Sequence, residues 1–210
     1  MLNLSLVELA IIIPVILVSL TVHELAHASV SLLLGDDTAK LAGRVTLNPI
    51  KHVDPFGFLM LVVVGFGWAK PVTFDRTKLR RPVRDEILVA FAGPLSNLLL
   101  AFAGTLVIRW AVFSGVVGDT AINALVTFCI INIALAVFNS LPIPPLDGSH
   151  VYTSFLTDRH AALAQAVTKY GFLLIIVLLL AQRVVGVDLL PIGRVTQAIF
   201  GGMLSLVGVE

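Results

Sequence analysis

Residues 9–34 read LAIIIPVILVSLTVHELAHASVSLLL, and the reading of this stretch decides the fold. From Leu9 to Val22 no side chain is charged. The apolar pattern then continues through His23, Glu24 and His27 to Leu34. Gly35, Asp36 and Asp37 follow as a helix stop. A helix from about Leu4 to Leu34 is roughly 46 Å long, which exceeds the ~30 Å hydrocarbon core of a bilayer. It crosses a membrane and protrudes, or kinks near Pro14. No basic segment and no small-residue cleavage site precede His23, so a cleavable signal peptide is not expected.

The rest of the chain agrees with a membrane setting. Of 210 residues, 58% are hydrophobic and 13% charged. That is about half the charged share of a soluble domain, too little to cover so much apolar surface. Net charge is +1, so there is no polyanion-binding signature and no nucleic acid partner is expected. Cys129 is the one cysteine, which excludes an intrachain disulfide and a cysteine-rich metal cage. In its apolar setting it reads as a small packing residue. Further uncharged runs cover Ile87–Ile108 and Thr120–Leu146. A fourth, Ala161–Ala181, is interrupted only by Lys169. Val195–Val209 is short, a partial span or an interfacial helix. No polar linker divides the chain, so residues 1–210 are expected to form one integral-membrane domain. The expected class is an all-α multispanning membrane protein.

Between the first two spans the pattern changes. Alternation over Ala42–Leu47 predicts a short strand ending at Asn48-Pro49. Pro55–Ala69 is apolar but only 15 residues long, rich in glycine and β-branched residues. It is expected as a re-entrant segment or strand, so that the region forms a short β-hairpin or re-entrant element. Trp68 fits an interfacial anchor there, as Arg109 and Trp110 do at the end of the second long run. Nine of the 14 Lys and Arg residues lie between Lys40 and Arg84, which puts this loop in the cytoplasm and the N-terminus outside.

His23 and His27 lie four apart on one helix face, close enough to reach one metal ion, and Glu24 between them can act on an attacking water without being a ligand. Two histidines and a glutamate can also form a plain polar network. Ionisable groups inside apolar sequence are costly and usually functional, which weighs against that reading. An open catalytic zinc site takes a third protein ligand. Asp147 is the leading candidate. It follows the proline-broken segment Pro142–Pro145, and span counting brings it to the membrane face of His23 and His27. It can also be read as a helix N-cap. His150 and the carboxylates of residues 36–54 are the alternatives. His52 reads as a structural loop residue and His160 as an interfacial one. Asn97 and Asn139 sit in apolar runs, as contacts to substrate, to a ligand or to a neighbouring helix.

With HELAH at 23–27, Ala92-Gly93-Pro94-Leu95-Ser96-Asn97 and Asn139-Ser140-Leu141-Pro142-Ile143-Pro144-Pro145-Leu146-Asp147-Gly148, the chain resembles the site-2 protease family of intramembrane zinc metallopeptidases. Gly43–Pro49 and His52–Pro55 are similar to that family's cytoplasmic-side hairpin. The resemblance runs from about residue 15 to 150. It implies a core of three metal-site helices plus additional C-terminal helices. It also implies Zn2+ held by His23, His27 and Asp147, Glu24 as catalytic base, and Asn97 and Asn139 near substrate or ligands. The expected activity is endopeptidase cleavage of single-span membrane proteins in the bilayer of the cell membrane, with the active site toward the cytoplasm. There is no room for a PDZ-type insertion, so the chain resembles the minimal forms. An extended substrate is expected to add to a strand edge at 43–48 or 59–65. Two other readings compete: a non-catalytic metal-binding protein of the same fold, and a metal-ion transporter. The transporter needs ligands at several depths, whereas these candidates cluster at one.

Overall fold

The computed structural model describes residues 5–64, 67–156, 161–186 and 188–209. His160 lies outside them. Ser5 opens α1 (Leu6–Leu33) with a capping box: its hydroxyl accepts from the Glu8 N–H, and the Glu8 carboxylate accepts from the Ser5 N–H. The helix continues through Pro14 for 28 residues, about 42 Å. A short α2 (Thr38–Leu41) and α3 (Pro55–Val64) follow, then α4 (Pro82–Ser114) and α5 (Asp119–Asn139). Gly115, at φ 64°, ends α4 in the left-handed conformation that glycine adopts freely. A 3₁₀ turn, Asp147–Ser149, leads into α6 (His150–Thr153), and α7 (Ala161–Val185) and α8 (Ile192–Leu206) complete the chain.

Four of these helices contain a segment long and apolar enough to cross a membrane: Leu6–Leu33, Pro82–Ser114, Asp119–Asn139 and Gln165–Gln182. The protein is mostly helical and multi-pass. Its wide apolar exposure fits that setting: Leu95, Leu99, Leu106 and Phe113 on α4 all face outward. α4 packs against both α1 and α5, and α1 also touches α5. The α4–α5 crossing is close because Gly104 lies against Cys129, whose thiol donates to Ala101 O at 3.4 Å. α8, at 15 residues, is too short to span and packs on α5. The Arg109 guanidinium, over the Phe113 ring, donates to Val207 O and Gly208 O just past the end of α8.

The expected β-hairpin is not formed. Among the described residues there is no strand, only one antiparallel bridge, Val53 to Ala69. Ala42–Leu47 turns instead of extending, with Gly43 at φ 68° and Thr46 N donating to Arg44 O. Residues 55–64 of the short apolar run form α3, capped by Asp54, whose carboxylate accepts from Gly57 N at 2.7 Å. The chain then returns, and Lys70 N donates to His52 O at 2.8 Å. Trp68 packs between Phe56 and Phe172, and so close to Gly57 that a Cβ there has no room. Thus 43–48 and 59–64 offer no strand edge to a substrate.

Candidate metal centre

α1 turns His23, Glu24 and His27 inward, where all three are buried. α4 passes so close that a Cβ on Gly93 would collide with both imidazole rings. The chain leaving α5 then delivers Asp147. Three atoms converge: His23 Nε2 lies 3.1 Å from His27 Nε2 and 3.2 Å from Asp147 Oδ2, and His27 Nε2 lies 3.4 Å from that oxygen.

Hydrogen bonds on the far side of each ring set the tautomers. His27 Nδ1 faces Val89 O at 2.7 Å, and a carbonyl only accepts, so Nδ1 carries the hydrogen. His23 Nδ1 faces Asn97 Oδ1 at 2.6 Å. The Asn97 amide is oriented by its Nδ2, which donates to Asn132 Oδ1 at 2.9 Å and to Ser19 O at 3.3 Å. Both neutral rings therefore aim a lone pair at the Asp147 carboxylate. The buried Oδ2 has no hydrogen-bond donor.

Three lone-pair atoms at such short range repel one another unless a cation lies among them. The edge of a zinc tetrahedron with ligands at ~2.0–2.2 Å is about 3.3–3.6 Å, close to the observed separations. Two imidazoles and one carboxylate are also the donor set of an open catalytic zinc site. His23, His27 and Asp147 thus form a group that can hold a metal ion.

Glu24 lines the same cavity as His27 and Asp147. Its Oε2 accepts from Val72 N at 2.9 Å, with Arg44 Nη2 at 3.8 Å. Arg44 is itself buried and donates to Lys70 O and Pro71 O at 2.5 and 3.3 Å. His52 is a structural anchor: its Nε2 bonds Thr46 O at 2.9 Å, and its Nδ1 faces Arg44 Nη2 at 3.4 Å. A cavity of about 100 Å³ is lined by Glu24, His27, Phe74, Val89, Asp147 and His150 among others.

Of the residues singled out from sequence, His23, Glu24, His27, Asp147 and Asn97 come together here. Asn139 does not join their hydrogen bonds, because its Nδ2 donates back along α5 to Leu135 O. His150 lines the cavity but pairs with Glu86. Sequence reasoning missed Asn132, the Arg44 brace and Glu86. An amide within an apolar run was the one available signal for Asn132.

A model of Peptidase family M50 matches residues 11–119 and 110–181. The chain is 43% identical over 168 residues to the "Putative zinc metalloprotease YwhC" of Bacillus subtilis, covering 78% of this chain and 77% of that protein. It is 34% identical over 179 residues to the "Putative zinc metalloprotease Rip2" of Mycolicibacterium smegmatis, covering 78% of this chain and 64% of the relative. The Rip2 of Mycobacterium tuberculosis is 30% identical, with 81% and 66% covered. No solved structure matches the chain. By these matches the chain belongs to peptidase family M50, the zinc-dependent site-2 protease family.

Proposed function

We propose that the protein is a zinc-dependent intramembrane endopeptidase, that His23, His27 and Asp147 hold its zinc, and that Glu24 is its general base. The observation that carries this reading is the convergence of two imidazole nitrogens and Asp147 Oδ2 on one point beside the cavity that Glu24 lines. When bound, zinc supplies Lewis acidity, polarising a carbonyl and making water nucleophilic near neutral pH. Glu24 takes the proton from the attacking water and passes it to the leaving amine. The Val72 N–H and Arg44 hold the Glu24 carboxylate ready for that exchange.

The substrates are single-span membrane proteins, in keeping with a family that acts within the bilayer. The excess of basic residues between Lys40 and Arg84 supports a site toward the cytoplasmic face of the cell membrane. The chain works as one integral-membrane domain. A metal transporter is disfavoured because the three metal-ligand candidates sit at one depth.

The test is cleavage of a fluorogenic single-span peptide in liposomes by the purified protein. Cleavage is expected to stop on addition of a zinc chelator and to return with zinc. Zinc-loaded protein that cuts no membrane-anchored peptide, in assays where a related peptidase does, would sink the reading.

A further inference from the structure

His150 lies three residues after Asp147, at the junction of the 3₁₀ turn and α6. Side chains three apart in a 3₁₀ turn eclipse one another, so the two residues serve the same side of the chain. The imidazole of His150 lines the cavity shared with Glu24 and Asp147. Its Nδ1 is 2.9 Å from Glu86 Oε1, and a carboxylate only accepts, so Nδ1–H is committed there. Glu86 is buried and is held in turn by Arg76, whose Nε lies 3.2 Å from its second oxygen. Arg76 Nη2 also donates to Ser154 O at 2.8 Å, and the Ser154 hydroxyl returns to His150 O at 2.5 Å. Phe74 closes against the ring, with centroids 5.7 Å apart. The ring is thus held by Glu86 at one nitrogen and by Phe74 at its side. Among the described residues its Nε2 has no partner, and the side chain keeps about one-third of its surface exposed.

We propose that His150, doubly protonated with its Nδ1–H on the Glu86 carboxylate, is a further catalytic residue of this peptidase, donating Nε2–H to the scissile carbonyl oxygen as negative charge develops there. The inference rests on the peptidase reading above. As water adds, the new C–O bond forms, the carbonyl π pair moves onto oxygen, and Glu24 takes the proton of the water. His150 transfers no proton; it hydrogen-bonds the oxygen and is unchanged when the C–N bond breaks. Glu86 fixes the ring and balances its charge. Such a donor acts chiefly in the transition state, so its loss lowers kcat with little effect on KM.

The experiment compares His150→Phe and His150→Gln with the wild type on the fluorogenic peptide in liposomes. It also measures zinc content and affinity for a peptide phosphinate, a tetrahedral anionic probe. His150→Phe is expected to keep its zinc and KM, to lose about 10²–10³-fold in kcat, and to weaken phosphinate binding by a similar factor. His150→Gln, whose amide can still donate, is expected to recover part of both. A His150→Phe protein with near-wild-type kcat and phosphinate affinity overturns the assignment while leaving the peptidase reading intact. Loss of zinc in both variants overturns it in favour of a structural role. Failure of the zinc-loaded wild type to cleave overturns both readings.

Discussion

His23 Nδ1 and Asn97 Oδ1 are 2.6 Å apart, and that one hydrogen bond ties the candidate metal centre on α1 to an amide chain crossing α4 and α5. Asn97 donates onward to Asn132 at 2.9 Å, and Asn132 to Phe128 O at 2.9 Å. Every amide in the chain has its orientation set by the next. The tautomer that exposes His23 Nε2 is therefore decided by a residue on a third helix.

Asn97→Leu should leave three candidate ligands in place but release the orientation of one. We expect zinc affinity to fall about 10–100-fold, the range for lost partners of metal-binding histidines. Competition titration against a chelator measures this. Unchanged affinity would mean that packing alone holds the His23 ring.

Gly93→Ala sets local propensity against the site. In a helix interior alanine is favoured over glycine by about 0.8–1.0 kcal/mol. Yet a Cβ at this position collides with both imidazoles. We expect helix content to be kept and zinc stoichiometry to collapse. A variant that binds zinc normally would show that the rings can shift and still converge.

The site was legible in sequence where its geometry is local. His23, Glu24 and His27 share one turn, so the spacing alone brings them together. Asp147 needed topology as well, since counting spans is what brings it to the same membrane face. Arg44 and Glu86 escaped because their meaning lies in partners 20 and 64 residues away, Glu24 and His150. The strand alternative for residues 55–64 failed for a different reason. A short apolar run has no period that separates strand from buried helix, and β-branched composition kept a strand open beside a re-entrant segment. Tertiary contacts of Gly57 with Trp68 set the outcome instead.

His23→Ala, His27→Ala and Asp147→Ala should each lose zinc and activity together, because a three-ligand site does not tolerate a missing donor. Zinc binds the folded state, so chelation of the wild type should also lower its Tm, and the three variants should lose that response. Metal analysis and thermal melts with and without chelator test both points. Full zinc retention by any variant would remove that residue from the ligand set.

Glu24→Gln keeps the shape of the side chain, and its carbonyl can still accept from the Val72 N–H. It cannot take a proton. We expect normal zinc content and a kcat lower by about 10²–10⁴-fold, the usual contribution of a general base. Near-wild-type turnover would transfer the base role to another group.

Arg44→Lys conserves charge but not geometry. The guanidinium reaches Lys70 O, Pro71 O and His52 at once, and it lies 3.8 Å from Glu24. A lysine ammonium has no planar fork to span these acceptors. Burial already presses the arginine below its usual pKa against the pull of Glu24, so a more strongly hydrated ammonium is worse suited to the position. The segment that donates Val72 N–H to Glu24 should loosen, while the three metal-ligand candidates, on other elements, stay in place. We therefore expect zinc content to be kept, kcat to drop roughly tenfold, and cleavage by trypsin at Arg76 to accelerate, as loosened loops are nicked preferentially. Zinc loss in this variant would mean that the brace supports the whole centre. Unchanged kcat and protease resistance would mean that Val72 holds Glu24 without help from Arg44.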